Sequence, residues 1–141
     1  RGLFPALAAD HQQSDGKITY REELYEDLPI MDLDPEQMKR ALMNLLNNAS
    51  TAVQDGGEVM VRTHYDPVLK MVSVEVSDTG CGIPKEDMER IFEPYFSTRK
   101  SGMGLGLAIV NTIISDHNGY IRVKARDPKG TIFTIELPVK R

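Results

Sequence analysis

Hydrophobic residues follow a helical period over residues 35–53. They recur every three or four positions, which places them on one face of an α-helix: Met38, Ala41, Leu42, Leu45, Ala49, Ala52 and Val53. Residues 34–37, Asp-Pro-Glu-Gln, predict the helix start, because Asp34 can cap the first turn and Gln37 stands where a capping box places its glutamine. Residues 55–57, Asp-Gly-Gly, predict the helix end.

Two further helices are predicted downstream. The longer one covers residues 105–117 and ends at Asn118 and Gly119. Its expected inner face combines apolar and small residues: Leu105, Ala108, Ile109, Thr112 and Ile113. A shorter helix is predicted over residues 84–92, with proline at its first position and acidic residues in its first turn. Its apolar side is formed by Met88, Ile91 and Phe92.

Alternating apolar and polar residues predict five strands, over residues 18–24, 58–65, 71–77, 120–126 and 131–137. The charge of the first strand suits the edge of a sheet. In the third strand Val72, Val74 and Val76 lie on one face, and period two adds Asp78 to that face. We therefore expect an α/β (α+β) two-layer sandwich, with a mixed, mostly antiparallel sheet of about five strands and helices on one face.

Asp78 should thus place its carboxylate on the buried face of the sheet. Burying a charge without partners is costly, so Asp78 needs hydrogen bonds. The exocyclic amine of adenine would supply one, which makes Asp78 a candidate base-reading residue. The alternative is a strand-end aspartate that caps the turn at Thr79 and Gly80.

Two glycine-rich clusters stand on either side of a polar segment. The first is residues 78–84, Asp-Thr-Gly-Cys-Gly-Ile-Pro, and the second is residues 102–107, Gly-Met-Gly-Leu-Gly-Leu. Glycine lets the backbone approach a ligand closely, and a helix that starts in the second cluster would present free N–H groups to an anion. We interpret the whole as a nucleotide pocket, with the phosphates at the second cluster.

The polar segment itself, about residues 93–104, is interpreted as a movable lid over that pocket. It carries Arg99 and Lys100, which could meet phosphate oxygens. A solvated basic pair is the alternative reading of these two side chains.

Three asparagines occur within five positions of the first helix, at Asn44, Asn47 and Asn48. Asparagine has a modest helix propensity, so helix stability does not explain them. Asn44 and Asn48 are four residues apart and share one helix face. An amide oxygen is a hard ligand suited to Mg²⁺, so Asn48 is a candidate metal ligand. For Asn47 we prefer a solvated position.

The composition narrows the classes of protein. A chain of 141 residues with 40% hydrophobic and 27% charged residues predicts one globular domain with a real core. The net charge of −4 argues against a nucleic-acid surface, and the one cysteine leaves no internal disulfide and no cysteine zinc site. We find no membrane-spanning run. The chain starts without Met, and we expect it to be a piece of a longer protein.

Four motifs in order, together with a last glycine element, carry a resemblance to a known family. Residues 78–82, Asp-x-Gly-x-Gly, residues 92–96, Phe-Glu-Pro-Tyr-Phe, and residues 102–107 resemble the G1, F and G2 boxes of sensor histidine kinases. Residues 44–49, Asn-Leu-Leu-Asn-Asn-Ala, resemble the N box, and residues 130–133, Gly-Thr-x-Phe, the last glycine element. The sequence of residues 94–98, Pro-Tyr-Phe-Ser-Thr, is similar to that of nitrogen-regulation-type sensor kinases.

The resemblance implies a catalytic ATP-binding domain over residues 17–141, with residues 1–16 as the linker from a preceding helical domain. It implies transfer of the γ-phosphoryl group of Mg-ATP to a histidine on that dimerisation and phosphoacceptor domain, for relay to a response regulator. A cytoplasmic location is implied, with a parent protein that is either free or membrane-anchored. A locally packing leader is the alternative for residues 1–16. None of the histidines, His11, His64 or His117, begins the acceptor pattern His-Glu-x-x-x-Pro.

The resemblance also assigns roles to residues. The catalytic residues would be Asn44, Asn48 and Lys100, with Asn48 on the metal. The nucleotide would be held by residues of all the boxes: Asn48, Asp78, Gly80, Gly82, Ile83, Phe96, Arg99, Lys100, Gly102, Gly104, Leu105, Gly106, Leu107 and Thr131.

Two other functions compete with this interpretation. The first is an ATP-driven switch of the topoisomerase, mismatch-repair and heat-shock type, in which the first N-box residue is usually a glutamate that activates water. Asn44 is an amide and cannot be a general base, which disfavours hydrolysis. The second is a nucleotide-sensing interaction module without catalysis. A dinucleotide fold needs its glycines directly after a strand, whereas the second cluster follows the long polar segment. A P-loop needs Gly-Lys-Ser/Thr after four intervening residues, and the sequence contains none.

Overall fold

The computed structural model describes residues 18–93 and 106–139 of the chain. Within them the elements follow one another as β1 (Ile18–Glu23), α1 (Pro35–Ala52), β2 (Gly57–Asp66), β3 (Met71–Asp78), α2 (Gly106–Asp116), β4 (Tyr120–Ala125) and β5 (Thr131–Pro138). In that part of the chain no helix is both long enough and apolar enough to cross a membrane.

The strands form one five-stranded sheet in the order β1-β2-β3-β5-β4. β1 pairs with β2 in parallel, and the other three pairs are antiparallel. A parallel pair needs a crossover connection, and α1 supplies it here. The predicted mixed, mostly antiparallel sheet is confirmed, as is the position of the first strand at an edge. In the register, Asp78 lies between Val59 of β2 and Thr131 of β5.

Both helices pack on one face of this sheet. α1 contacts β2, β3 and α2, and α2 also contacts β4. The buried core combines the apolar stripe of α1 with inward residues of three strands, among them Leu45, Val76, Phe133 and Ile135. The opposite face carries ion pairs such as Arg21–Glu58 at 3.1 Å and Arg122–Glu136 at 3.0 Å. This division is the two-layer sandwich that the alternation predicts.

The start of α1 differs from the predicted capping box. Asp34 Oδ1 accepts from the backbone N–H groups of Glu36 and Gln37, as expected for an N-cap. However, the backbone N–H of Asp34 donates to Nε2 of His117 at 3.1 Å, where a capping box would use Gln37. His117 Nδ1 lies 2.8 Å from the carbonyl oxygen of Ile113. The histidine therefore ties the end of α2 to the start of α1.

Two further predictions were wrong in detail. The face that α2 buries is formed by Val110, Ile113 and Ile114, whereas Thr112 is exposed and Ala108 and Ile109 are half-buried. The short helix predicted over residues 84–92 is a 3₁₀ turn at Lys85–Asp87 followed by further turns. Its apolar side still packs inward, with a buried Ile91 and a half-buried Phe92.

Candidate nucleotide-binding site

Asp78 is the last residue of β3 and is only 3% exposed. The valines of β3 share its face and are buried, as period two requires. Its Oδ1 accepts a hydrogen bond from the backbone N–H of Gly80 at 2.8 Å. This is the local capping contact that the sequence offered as the alternative role. Because a carboxylate has two oxygens and several acceptor positions, the contact leaves the base-reading role open.

Tight packing holds the loop that follows Asp78. A side chain on Gly80 would clash with the backbone carbonyl of Ala52 in the last turn of α1. Gly82 has a positive φ of +81°, a conformation that disfavours side chains. Gly130, with φ +115°, faces the carbonyl of Asp78 so closely that a Cβ would clash with it. The loop is thus fixed from both sides.

Thr131 lies directly opposite Asp78 in the β3–β5 pair and is 3% exposed. Directly opposite residues of an antiparallel pair lie on the same face of a sheet. Thr131 therefore joins Asp78 on the helix-facing side. Ile83, at the end of the glycine loop, is half-buried and packs against the core.

One face of α1 connects Gly106 at one end with Gly80 at the other. Asn44 Nδ2 donates to the carbonyl oxygen of Gly106, with a distance of 3.4 Å. Ala52, eight residues on, has its carbonyl against Gly80. Eight residues of helix rise about 12 Å, and steps of four keep the same face. Asn48 lies midway on this face and is half-buried, whereas Asn47 is exposed as predicted.

The start of α2 forms the other end of the candidate site. Gly106 is its first residue and is exposed, and Leu107 is half-buried against the core. Apart from its chain neighbours and the backbone of its own helix, no described residue has a heavy atom within 4 Å of the position that a Cβ on Gly106 would take. The first N–H groups of a helix have no partner within the helix and carry partial positive charge. They suit an anion at this place.

Several predicted site residues lie outside the described part of the chain: Phe96, Arg99, Lys100, Gly102, Gly104 and Leu105. The same holds for the predicted lid beyond Glu93 and for residues 1–17. Their roles stay predictions. The first aromatic of the F box is described, and Phe92 packs edge-on against Phe133 with ring centroids 6.2 Å apart.

Asn44 and Asn48 share one face of α1, and each offers an amide oxygen. Within residues 18–93 and 106–139, no three His, Cys, Asp or Glu side chains come close enough together to hold a metal ion. Mg²⁺ commonly keeps several waters and binds through substrate phosphates with few protein ligands. The amide oxygen of Asn48 is chemically suited to such an ion, and the amide of Asn44 to its waters or to the phosphates.

The described histidines lie away from the site. His64 is exposed on β2 and stacks edge-on with Tyr25, with ring centroids 5.3 Å apart. His117 follows α2, and the eleven residue steps from Gly106 to His117 correspond to a rise of about 16 Å. Neither histidine is placed to receive a group from the start of α2.

A family model described as histidine kinase-, DNA gyrase B- and HSP90-like ATPase matches residues 33–141, which include every described element except β1. The chain belongs to this family. Among its curated relatives is the sensory histidine kinase/phosphatase NtrB of Rhodobacter capsulatus, 44% identical over 117 residues that cover 75% of this chain and 33% of NtrB. The chain thus spans about a third of the length of this relative.

Solved structures of histidine kinases share the fold. The catalytic domain of ThkA, in a nucleotide-free form, is 29% identical and superposes with a TM-score of 0.88, covering 99% of this chain and 94% of that one. Full-length ShkA in complex with AMPPNP is 27% identical with a TM-score of 0.83, covering 97% of this chain and 29% of ShkA. ThkA has also been solved in complex with the response regulator protein TrrA.

Two residues of the site were not among the predicted ligand-binding residues. A glycine is required at Gly130 by its contact with the Asp78 carbonyl, and Thr79 bonds to Glu58, the second residue of β2. The sequence signal for Gly130 was its place directly before Thr131. For Thr79 no local pattern indicates the contact, because its partner Glu58 is 21 residues away.

Proposed function

We propose that the chain is the ATP-binding catalytic domain of a sensor histidine kinase, which transfers the γ-phosphoryl group of Mg-ATP to a histidine on a separate helical domain. Membership of the ATPase family and the kinship with NtrB and ThkA support this class of protein. The observation that carries the proposal is the buried carboxylate of Asp78 between the glycine loop and Thr131.

A carboxylate on an apolar sheet face is costly to bury. Its bond from the Gly80 N–H offsets part of this cost. A ligand amine that donates to the carboxylate would add a charge-assisted bond. Adenine has such an amine, and guanine carries an acceptor at the same place. The solved ShkA complex contains AMPPNP, and we infer a ligand of the same class here.

The phosphates are assigned to the start of α2. Gly106 and Leu107 would offer backbone N–H groups to them, and the predicted partners Arg99 and Lys100 would add positive charge. Gly102, Gly104 and Leu105 complete this end of the proposed pocket, and Phe96 closes it. Glycine at Gly106 leaves room that a phosphate group can occupy.

Magnesium would be held by Asn48, with Asn44 directed at its waters or at the phosphates. The ion would neutralise phosphate charge during transfer. Asn44 uses its amide nitrogen on the Gly106 carbonyl, and its planar amide directs the oxygen elsewhere. The residues of α1 thereby position the triphosphate relative to the start of α2.

In the transfer, an imidazole nitrogen of the acceptor histidine forms a bond to the γ-phosphorus. The bond from that phosphorus to the oxygen bridging it to the β-phosphate breaks, and ADP leaves with this oxygen. Such chemistry depends mainly on positioning and on charge neutralisation. The acceptor must approach in line at contact distance. Of the described histidines, neither His64 nor His117 lies at the proposed phosphate end, and His11 does not begin the acceptor pattern. The acceptor is therefore proposed on another domain.

The contact of Asn44 favours transfer over hydrolysis. Its Nδ2 faces a carbonyl oxygen at 3.4 Å, and a carboxylate in this place would set two acceptors against each other. The position is therefore suited to a donor and unsuited to a glutamate general base. This observation disfavours the ATP-driven switch among the competing functions.

We further propose that residues 17–141 form the domain and that residues 1–16 link it to a helical dimerisation and phosphoacceptor domain of the same cytoplasmic kinase. Its second partner would be a response regulator, a partner class that ThkA shows in its complex with TrrA. No nucleic-acid or membrane contact is proposed for this part of the protein.

The test combines the chain with the phosphoacceptor domain of its own parent protein and γ-labelled ATP. We expect acid-labile phosphate on the acceptor domain and none on the chain alone. A matched acceptor domain with its histidine replaced by glutamine should stay unlabelled. Rapid release of free phosphate without labelling would show an ATPase switch, and ATP binding with neither reaction would show a sensing module. Either result overturns the proposal.

A further inference from the structure

Thr79 makes two hydrogen bonds to one residue at the point where β3 leaves the sheet. Its backbone N–H donates to the carbonyl oxygen of Glu58 at 3.1 Å. The backbone N–H of Glu58 donates in return to the hydroxyl oxygen of Thr79 at 3.0 Å. Both residues lie one step beyond the Val59–Asp78 pair of the β2–β3 ladder.

This exchange departs from a regular antiparallel ladder. Residues of a hydrogen-bonded pair normally exchange two backbone N–H···O bonds. At Thr79 the side-chain hydroxyl replaces the backbone carbonyl as acceptor. The chain can therefore turn out of the sheet while the N–H of Glu58 keeps a partner, which matters because an unpaired N–H is costly to bury.

The neighbourhood leaves space for this hydroxyl. A Cβ on Gly57 would lie 2.7 Å from Thr79 Oγ1, so a side chain at Gly57 would displace the hydroxyl. The bond thus depends on a glycine in β2 as well as on the threonine. Gly57 is the first residue of β2, and Thr79 directly follows β3 and precedes Gly80.

The turn at Thr79 also orients the carboxylate of Asp78. The N–H that donates to Asp78 Oδ1 belongs to Gly80, the residue directly after Thr79. The direction in which Thr79 leaves the sheet consequently decides where that N–H lies. If the hydroxyl bond is lost, Thr79 can turn differently and the Gly80 N–H can leave the carboxylate.

We propose that Thr79 is a positioning residue that sets the orientation of Asp78 and thereby the preference of the site for adenine. This inference rests on the proposed function, since it takes Asp78 as the group that reads the base. Thr79 acts through its hydroxyl, and no contact between Thr79 and the nucleotide is required.

The test compares Thr79→Val, Thr79→Ala and Thr79→Ser in the full chain. Valine preserves the shape without the hydroxyl, alanine leaves room for a water on the Glu58 N–H, and serine keeps the hydroxyl. Thr63→Val is the matched control, because Thr63 Oγ1 accepts from the backbone N–H of Tyr25 at 2.8 Å. Thr63 lies four residues along β2 from Val59, about 13 Å from the Asp78 pair.

Calorimetric titration with ATP and with GTP gives the first readout. If only a fraction of the molecules keep Asp78 in the competent orientation, the apparent ATP affinity falls to that fraction of its full value. We expect a loss of about fivefold to tenfold for ATP in Thr79→Val and Thr79→Ala, the size of one hydrogen bond, with GTP affinity unchanged. Thr79→Ser should restore the ATP preference, and Thr63→Val should retain it even if its melting temperature falls.

Hydrogen exchange at the Gly80 amide gives a second readout that needs no nucleotide. Loss of the Thr79 hydroxyl should speed this exchange, and Thr63→Val should leave it unchanged. Unchanged Gly80 exchange and unchanged ATP preference in both hydroxyl-free variants would overturn the inference, as would an equal loss in Thr63→Val. A wild-type chain that binds no ATP would instead overturn the proposed function, and the exchange result would then decide on Thr79 separately.

Discussion

Gly80 and Gly106 are glycines of the two clusters, and their surroundings differ. A side chain on Gly80 would clash with the backbone carbonyl of Ala52, so the fold itself requires a glycine there. Apart from its chain neighbours and the backbone of its own helix, a Cβ on Gly106 would meet no heavy atom within 4 Å among the described residues. Packing of the described chain therefore explains the first glycine and gives no reason for the second.

The difference indicates that the glycines of the two clusters have different roles. Gly80 allows the loop to lie against α1 and so fixes the surroundings of Asp78. Gly106 stands at the start of a helix, where the proposed phosphates approach the backbone. In the proposed function, the first cluster needs glycine for packing within the protein, and the second needs glycine for close contact with the ligand. Substitutions that separate stability from nucleotide affinity can test this division.

The largest effect is expected for Gly80→Ala. The methyl group would press against backbone, which cannot rotate away as a side chain could, so either α1 or the loop must shift. Overpacking of this kind costs about 2–3 kcal/mol in the free energy of unfolding. For a domain of this size the melting temperature should fall by about 10 °C. Thermal unfolding followed by circular dichroism measures this.

Gly106→Ala is the matched control for that experiment, because it adds the same methyl group at the glycine with open surroundings. If Gly80→Ala melts within about 2 °C of the wild-type protein, a shift too small for a backbone clash, the loop is not packed against α1 as described.

The next largest effect is expected for Asp78→Asn, which should weaken ATP and spare GTP. The asparagine amide would set its own N–H groups against the adenine amine, and loss of a charged hydrogen bond costs about 1.5–3 kcal/mol. This corresponds to roughly 10- to 150-fold in affinity. Guanine carries an acceptor in that position, so GTP has no bond to lose. Titration calorimetry that finds equal losses for both nucleotides would remove Asp78 from the base site.

The features that the sequence predicted well depend on local periodicity. The alternation of valines in β3 placed Asp78 on the buried face, and the structure confirms this. The cap of α1 by Asp34 was likewise predicted from adjacent residues. Such features are set by neighbours within a few positions, so a single sequence contains the information.

The inner face of α2 shows where periodicity fails. Every residue from Leu107 to Val110 is apolar, and so are Ile113 and Ile114. Several rotations of the helix would therefore bury a similar apolar area. The contacts with α1 and β4 decide among them, and they bury Val110, Ile113 and Ile114. The hydrogen bond from Asp34 to His117 was likewise not predicted, because the two residues are 83 positions apart and meet only through tertiary contacts.

A smaller effect, confined to the phosphate end, is expected for Gly106→Ala. Alanine is the better helix former, so the free energy of unfolding should stay unchanged or rise by up to about 1 kcal/mol. ATP affinity should fall by about tenfold, since the methyl group would keep the phosphates from the backbone N–H groups. Adenosine, which has no phosphates, should bind as before. Parallel titrations with ATP and adenosine measure the difference.

An equal loss for ATP and adenosine in Gly106→Ala would contradict the division between the two clusters. Asp78→Asn is the complementary variant here, because it should weaken adenosine and ATP alike. Together the two substitutions separate the base end of the site from its phosphate end.

The smallest effect is expected for Asn48→Ala. Asn48 lies on α1, midway between the helix positions that contact Gly80 and Gly106. The variant should bind ATP with an affinity that depends less on Mg²⁺, because a methyl group cannot replace a ligand oxygen. Its stability should stay within about 0.5 kcal/mol of the wild-type value, since alanine suits a helix and the position is only half-buried. Titrations of ATP with and without Mg²⁺, combined with thermal unfolding, provide both numbers.

Asn47→Ala is the control for Asn48→Ala, because the neighbouring asparagine is exposed and points away from the face that carries Asn44 and Asn48. It should leave both stability and Mg²⁺ dependence unchanged. A melting temperature many degrees lower in Asn48→Ala, with Mg²⁺ dependence intact, would show that Asn48 supports the fold instead of the ion. In that case the glycines would keep their separate roles, but α1 would contribute to the phosphate end only through the contact of Asn44 with Gly106.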